Sequence, residues 1–268
     1  MIKSFSVCAN DRAKREVALL IKSIRQFYDC PIFVSCDFPT KLFLESFGFD
    51  NIQCELHLEP EKLECNDTLV RHVVEQNDFH SKSIILSKMD CIEWALEEAG
   101  ETVFLDADII LLRPIEEDID ESMELILSPH FHVEDKITQN RTYGAFNAGY
   151  LWTSSKDFPQ AWRDIYLTRS AFYEQQGMIH LFEQFDVKTF DKNHNVGFWR
   201  FPKVWKSKGR LSLTDPIENW AEVKSVHFHA FPETYAHADK GLIQGYDLLK
   251  EIIFDKLPDE LKEFAYAI

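Results

Sequence analysis

The sequence predicts an α/β protein with a mostly parallel sheet flanked by helices. Two observations predict this class: strand and helix patterns alternate along the first half of the chain, and its strand patterns are buried apolar runs. A third observation concerns size. The 268 residues contain no internal repeat, low-complexity tract or Ser/Gly linker, so we expect one domain over residues 1–268.

The first elements alternate regularly. Residues 2–8 mix β-branched and aromatic side chains, which favours a strand, and apolar residues at helical spacing predict a helix over 17–27. The pattern then repeats, with a buried strand over 31–37, a short helix over 40–47 and a further strand over 51–58. This alternation predicts a Rossmann-like sheet.

The longest helical pattern covers residues 81–99 and ends at Gly100. A strand over 102–114 follows it directly, and further strands are predicted over 125–128 and 145–154. Strand patterns therefore occur past the middle of the chain as well.

The remaining sequence is more irregular. Residues 158–184 have a helical pattern in two pieces, broken around Gln176 and Gly177. A strand is predicted over 223–230 and a helix over 246–254. We therefore expect a less regular C-terminal half.

The charge balance excludes one class of partner. Lys and Arg number 29 against 45 Asp and Glu, which gives a formal net charge of −16. A negative field repels phosphate backbones and anionic lipid surfaces. We therefore expect no nucleic-acid partner.

The cysteines and the hydropathy pattern point to a cytoplasmic protein. None of the six cysteines forms a C-x-x-C pair, which favours reduced and mostly buried thiols. No secretory pattern and no run of about 18 apolar residues occurs, so we expect no transmembrane segment. The six are Cys8, Cys30, Cys36, Cys54, Cys65 and Cys91.

The segment Asp106-Ala107-Asp108 is the main candidate site. It follows the apolar run of 103–105, and ligands of open α/β sheets collect at the carboxyl ends of strands. Carboxylates at i and i+2 project from one side of an extended backbone, so both can face one divalent cation and a diphosphate. A second pair at this spacing, Asp118 and Asp120, lies among acidic residues without a preceding strand and is expected to be solvated.

Several segments resemble GT-A glycosyltransferases, in the same order along the chain. FLDADIILLRP resembles their D-x-D segment, and AFNAGYLWTS resembles their F-N-x-G strand. Glu174-Gln175-Gln176 and the later Asn195-Val196-Gly197 resemble their D-Q and Y-N segments. VHFHAF resembles the late strand whose His completes the metal site in glycosyltransferase family 8. The resemblance covers residues 2–235 and is strongest to family 8-like enzymes, although the family's H-x-x-G-x-x-K-P-W ending is absent.

This resemblance implies a GT-A fold and a metal-dependent transferase. The reaction would move a hexose from a nucleotide diphosphate sugar, with UDP as the expected nucleotide, to a glycan or lipid-linked acceptor. Residues 1–115 would form the nucleotide-sugar-binding half, and residues 116–268 the acceptor-binding half. Carboxylates with one imidazole suit Mn²⁺ or Mg²⁺, which would stabilise the leaving diphosphate.

Four residues are candidate metal ligands: Asp106, Asp108, His227 and His229. His227 and His229 are two positions apart in one predicted strand, so both side chains should point to the same face of the sheet. The resemblance favours His227, with His229 as the second choice.

The resemblance also implies a donor site, in which the D-x-D residues join Lys88 at the phosphates and Asn147 at the sugar or acceptor. Asn10 could instead cap a helix, Lys88 could be solvated, and the aromatic residues between Phe198 and Trp220 could form core or an acceptor platform. The complete donor set is Ala9, Asn10, Asp11, Lys88, Asp106, Ala107, Asp108, Asn147 and Gln175.

Two carboxylates are candidate catalytic groups, Glu174 and Asp186. A family 8-like enzyme would retain the anomeric configuration, whereas an inverting enzyme would need one of them as a base beside the acceptor. The donor sugar, the linkage and the stereochemistry stay open.

Two alternatives remain. One is a binding protein for sugar nucleotides or glycans that keeps the fold without catalysis. The other is a phosphotransferase of the haloacid dehalogenase kind, in which the first Asp of D-x-D is the nucleophile. Such enzymes place D-x-D at the first strand, whereas here it follows residue 100.

Overall fold

The computed structural model describes residues 1–58, 82–132, 140, 142–170, 174–206, 210–235 and 240–268. The first half alternates strands and helices as predicted. In chain order these are β1 (Phe5–Ala9), α1 (Lys14–Ile24), β2 (Ile32–Cys36), α2 (Phe38–Glu45), β3 (Ile52–Glu55), α3 (Lys82–Ala99), β4 (Thr102–Leu105) and β5 (Ile109–Leu111). Residue 81, the predicted start of α3, and Cys65 lie outside the described residues.

The second half adds strands and helices of very different lengths. They are β6 (Leu125–Pro129), β7 (Phe146–Thr153), α4 (Phe158–Arg169), β8 (Val187–Thr189), β9 (Val196–Gly197), β10 (Lys203–Lys206), β11 (Arg210–Leu213), β12 (Ser225–His227), α5 (Pro232–Tyr235), α6 (Lys240–Lys256) and α7 (Asp259–Ala267). A 3₁₀ helix spans Gln176–Glu183, so the second piece of the predicted helical pattern is not α-helical. The predicted strand over 223–230 is shorter in the structure, and α6 is longer than predicted.

A seven-stranded sheet in the order β3-β2-β1-β4-β7-β6-β8 forms the centre of the fold. The strands β3, β2, β1 and β4 are parallel, as predicted, while β7 runs antiparallel to both β4 and β6. Three strands of the second half therefore extend the sheet of the first half, and residue 115 marks no break in it.

A smaller sheet in the order β5-β12-β9 lies beside the central one. The predicted strand over 102–114 is two strands in the structure, because the chain turns at Asp106–Asp108 and leaves one sheet for the other. β12 is antiparallel to β5, with His227 opposite Ile109. This register brings the late histidines to the aspartates.

Three apolar clusters of described residues hold the sheets in place, and the largest packs α1 on the central sheet through residues such as Leu20. The helices α3 and α4 pack on the central sheet through residues such as Met89, Ile92, Phe104 and Trp162. The smaller sheet packs against α6 and α7 through a separate cluster that includes Val226. Among the described residues, no helix is long and apolar enough to cross a bilayer.

Candidate metal and donor site

The D-x-D turn lies at the carboxyl end of β4. The Asp106 amide donates to the Gly149 carbonyl of β7 over 2.8 Å, and the Ile109 amide donates back to the Asp106 carbonyl over 3.1 Å. These two bonds close a turn that presents both aspartates at one edge of the sheet. The predicted position of Asp106 and Asp108 at a strand end is therefore confirmed.

Gly149 makes room for the first aspartate. A Cβ atom built on Gly149 would lie 2.1 Å from Asp106 Oδ2, well inside contact distance. The glycine of the F-N-x-G segment is thus required by the close approach of Asp106 to β7, and not by an unusual backbone angle.

Asp108 faces the histidines of the β12 segment. The Phe228 amide donates to the Asp108 carbonyl over 3.0 Å, and His227 Nε2 lies 3.1 Å from Asp108 Oδ1. Burial alone would raise the pKa of Asp108, but the imidazoles of His227 and His229 outweigh it and hold that pKa well below its usual range. Burial would lower the pKa of His227, and Asp108 raises it above its usual value.

His229 reaches the other oxygen of the same aspartate. Its Nδ1 lies 3.1 Å from Asp108 Oδ2 and 4.0 Å from Glu16 Oε1. Glu16, on α1, also accepts hydrogen bonds from the Ala230 amide over 3.0 Å and the Thr234 hydroxyl over 2.8 Å. Burial is the main cause that raises the pKa of Glu16 to about 8, and burial lowers the pKa of His229.

Three of the four predicted ligands form a metal-type cluster. One ligand atom each from Asp106, Asp108 and His227 lies within 4.8 Å of the others. Two carboxylate oxygens and one imidazole nitrogen suit Mn²⁺ or Mg²⁺, so the residues present fit the predicted ion. His229 touches Asp108 but is not part of this cluster.

Lys88 and Glu174 lie on the other side of Asp106. Lys88 Nζ lies 2.9 Å from Asp106 Oδ1 and 3.0 Å from Glu174 Oε1, and its side chain is 14% exposed. Burial alone would lower the pKa of Lys88, but the two carboxylates outweigh it and raise that pKa. Lys88 is thus an ion-paired residue of the site, and the alternative of a solvated helix lysine is wrong.

Charge balance at this edge leaves an excess of negative charge. Asp106, Asp108 and Glu174 carry three negative charges when ionised, and Lys88 supplies one positive charge. A divalent cation would offset the remaining two charges, which agrees with the ligand set.

The two candidate catalytic carboxylates lie near opposite ends of the central strands. Glu174 is buried at the site, where its carbonyl accepts a hydrogen bond from Trp162 Nε1. Asp186 is exposed and precedes β8, next to Glu124. Because Leu125 pairs with Thr153 and Thr153 with Thr102, this position is at the opposite end of the strands from Asp106. Asp186 is therefore not a residue of this site.

The predicted donor residues at the end of β1 lie at the same sheet edge and form a helix start. Asn10 Oδ1 accepts a hydrogen bond from the Arg12 amide, so Asn10 caps the 3₁₀ turn Asp11–Ala13. Asp11 pairs with Lys14 at 2.8 Å, while Ala9 is buried. The capping alternative for Asn10 is thus confirmed.

Asn147 and Gln175 shape β7. Asn147 Oδ1 accepts from the Gly149 amide over 3.0 Å, and its Nδ2 lies 3.4 Å from His130 Nε2. Gln175 Oε1 accepts from the Ala148 amide over 3.4 Å. Both side chains therefore hold the strand that receives Asp106.

A group of residues lies behind His227, and of these only Trp199 was considered in the sequence analysis, as one of the aromatic residues after Phe198. Trp199 packs its ring on His227 and on His130, with centroids 5.1 and 5.2 Å apart, and its Nε1 donates to the His130 carbonyl. Arg200 is buried and donates to four carbonyls, including those of His130 and His194. No periodic pattern marks these residues, because they come from short loops that meet only in the fold.

The second aspartate pair is not uniformly solvated. Asp118 Oδ2 lies 3.5 Å from Lys224 Nζ and 3.3 Å from the buried His194 Nε2, whereas Asp120 pairs with Lys188 at the surface. The expectation of a solvated pair is therefore wrong for Asp118.

Comparison with known proteins confirms the fold. The sequence matches no known protein-family profile and no curated protein. Among solved structures, the galactosyltransferase LgtC in complex with donor and acceptor sugar analogues is 15% identical, with a TM-score of 0.57 over 99% of this chain and 96% of that chain. An active-site mutant of LgtC is 15% identical over 92% of this chain and 95% of that chain, with a TM-score of 0.53.

A third similar structure is the bifunctional glycosyltransferase WbbM, 12% identical with a TM-score of 0.52. The match covers 96% of this chain and 51% of that chain. At these identities the likeness concerns the fold, and the chain has the fold of GT-A glycosyltransferases, as its motifs indicated.

Proposed function

We propose that the protein is a metal-dependent glycosyltransferase that moves a hexose from a nucleotide diphosphate sugar, with UDP as the nucleotide, to a glycan or lipid-linked acceptor. The observation that carries the proposal is the meeting of Asp106 and Asp108 with His227 beside the Lys88–Glu174 ion pair. We assign donor binding mainly to residues 1–115, with Glu174, Gln175 and His227 joining it from the acceptor-binding half of residues 116–268. We assign a cytoplasmic location to the whole protein.

Asp106, Asp108 and His227 would hold Mn²⁺ or Mg²⁺. The bound ion would neutralise the charge that develops on the leaving diphosphate. Lys88 holds Asp106 in position by an ion pair, and the absence of a side chain at Gly149 leaves room for Asp106. The Phe228 amide holds Asp108 by a hydrogen bond to the Asp108 carbonyl.

Lys88 would face the donor phosphates, and Glu174 and Gln175 the hexose. Lys88 is an ammonium at the inner wall of the site, and its Nζ lies 3.0 Å from Glu174 Oε1. Glu174 can accept hydrogen bonds from sugar hydroxyls. A carboxylate that is paired with a lysine is a poor general base, which favours retention of configuration over an inverting reaction.

The two alternatives can be separated from this proposal. A haloacid dehalogenase-like phosphotransferase places its nucleophilic carboxylate after the first strand of the sheet, whereas Asp106 follows β4. A binding protein with this fold would bind the donor without turnover, so only a rate measurement separates it from an enzyme.

A thermal-shift screen tests the proposal. UDP-, GDP- and dTDP-hexoses are added with and without Mn²⁺, because a ligand that binds only the native state raises the apparent stability. We expect a UDP-hexose to raise the melting temperature only with the metal, and the same mixture to release UDP slowly by transfer or hydrolysis. Equal shifts with and without Mn²⁺ would contradict metal dependence, and a shift without UDP release would favour the binding protein.

A further inference from the structure

Asn195 is a buried amide directly behind His227. Its Oδ1 lies 2.8 Å from His227 Nδ1, and its Nδ2 donates to Ser128 Oγ over 3.0 Å. Its backbone amide donates to Ser225 Oγ over 2.8 Å. Asn195 and Ser128 are fully buried, so this amide joins the end of β6 to β12 in a place without solvent.

The hydrogen-bond roles at His227 follow from the chemistry of the two side chains. An amide oxygen can only accept, so the imidazole must carry a proton at Nδ1 to bond to it. A neutral imidazole protonated at Nδ1 has its lone pair at Nε2, the atom that lies 3.1 Å from Asp108. The opposite amide orientation would set two donors against each other whenever Nδ1 is protonated.

We propose that Asn195 is the positioning residue of the metal site: it holds His227 by Nδ1 so that Nε2 faces Asp106 and Asp108. The inference rests on the metal site of the proposed function. Partners of this kind fix the ring orientation and tautomer of ligating histidines, and their loss weakens metal binding.

The backbone explains why this partner is an asparagine. Asn195 has a φ of +53°, in the left-handed region that Asn and Gly adopt most readily. The chain enters β9 in this conformation, and β9 pairs with β12 at Gly197 and His227. Position 195 therefore needs both a left-handed backbone and an acceptor beside Nδ1.

The chain offers a matched control at Asn51. It has a φ of +54°, and its Nδ2 donates to the Asp29 carbonyl over 2.8 Å. It precedes β3 at the far edge of the central sheet. Asn51→Gly thus removes a similar amide at the same backbone angle without touching the site.

The experiment measures the Mn²⁺ affinity of the wild type and of three variants by titration, with electron paramagnetic resonance as the readout. The variants are Asn195→Gly, Asn195→Asp and Asn51→Gly. Glycine keeps the backbone angle without strain, so a loss in Asn195→Gly reports the side chain. We expect about 10- to 100-fold weaker Mn²⁺ binding in Asn195→Gly. Asn195→Asp keeps an acceptor and should stay within about threefold of the wild type. Asn51→Gly should not change the affinity.

Electron spin echo envelope modulation detects the nitrogen atoms bound to Mn²⁺. This signal should not change if Asn195 only stabilises the fold. Bound Mn²⁺ should show one imidazole nitrogen in the wild type and in Asn195→Asp, and a weakened or absent nitrogen signal in Asn195→Gly. An unchanged affinity and nitrogen signal in Asn195→Gly would overturn the proposal.

Two further outcomes are decisive. If Asn195→Gly does not fold, ¹⁵N NMR of the Mg²⁺-loaded wild type decides: a proton on Nδ1 of His227 supports the proposal, and a proton on Nε2 contradicts it. If the wild type binds no Mn²⁺, or His227→Ala keeps the nitrogen signal, the proposed metal site itself fails. Both of those results are obtained without any change at Asn195, so a failure of the metal site can be told apart from a failure of the proposal for Asn195.

Discussion

Two aspartate pairs with the same spacing have different surroundings. Asp106 and Asp108 follow β4 and meet His227, whereas Asp118 and Asp120 turn to different partners, Lys224 and Lys188. Exposure separates the pairs only in part: the side chains of Asp106 and Asp118 are 25% and 30% exposed, and those of Asp108 and Asp120 are 14% and 36% exposed. The difference lies in convergence: only the first pair shares a third ligand-type side chain from another sheet.

The largest expected effect comes from removing one charge of the first pair. Asp108→Asn should abolish metal-dependent UDP binding, because it removes a charged ligand and no core volume. Calorimetry with UDP and Mn²⁺ measures this. Asp120→Asn is the matched control and should bind normally, since Asp120 pairs with Lys188 at the surface. Normal binding by a folded Asp108→Asn would mean that the first pair is structural.

A second change tests the space that β7 leaves for the first pair. Gly149→Ala would place Cβ 2.1 Å from Asp106 Oδ2 and 2.9 Å from Asp106 Cβ, so Asp106 must leave its observed position together with part of its turn. We expect Mn²⁺ affinity to fall about tenfold or more, with some loss of stability, because the clash includes an atom next to the backbone. Mn²⁺ titration with circular dichroism checks both points. Wild-type affinity would show that Asp106 does not need its observed position.

The two histidines opposite Asp108 should differ in importance. His227→Ala should weaken Mn²⁺ binding by about 10- to 100-fold. His229→Ala should have a smaller effect, because His229 contacts Asp108 without joining the three-residue cluster. Electron paramagnetic resonance titration of both variants measures the difference. A larger loss in His229→Ala would reverse the assignment of the ligand.

The last prediction concerns the second aspartate pair and the pH dependence of the protein's stability, and it involves no change in metal binding. Burial is the main cause that lowers the pKa of His194, the partner of Asp118, to about 4. His194 therefore takes up a proton near pH 6.5 in the unfolded chain but only near pH 4 in the native state. The free energy of unfolding should keep its full value above pH 6.5 and fall as the pH drops towards 4. The loss should be about 3 kcal/mol at most, since each pKa unit corresponds to about 1.4 kcal/mol.

Urea unfolding of the wild type and of His194→Gln at pH 7, 5.5 and 4.5 tests this effect. The variant starts from a lower stability but should lose less of it on acidification, since it has no imidazole to protonate. Parallel pH profiles would show that His194 titrates normally in the native state.

Local patterns predicted the elements that fill the core. The strands β1, β2 and β7 and the helix α3 carry long apolar runs or stripes, and the structure has them close to the predicted bounds. The same patterns predicted a strand end at Asp106, and the spacing predicted that His227 and His229 face one way. The predictions failed where pairing is short, as in β8 and β9, because two or three residues carry no readable period.

The sequence by itself determined the α/β class, the D-x-D turn after an apolar strand, and the ligand chemistry of two carboxylates and a histidine. These features depend on residue type and local order, which are present in the chain. Only the tertiary structure decided that β4 and β5 belong to different sheets, that Asn195 holds His227, and that Lys88 joins Asp106 to Glu174 while Asp186 lies at the opposite end. Those contacts join residues up to 86 positions apart, and only the sheet register and the burial of apolar surface bring them together.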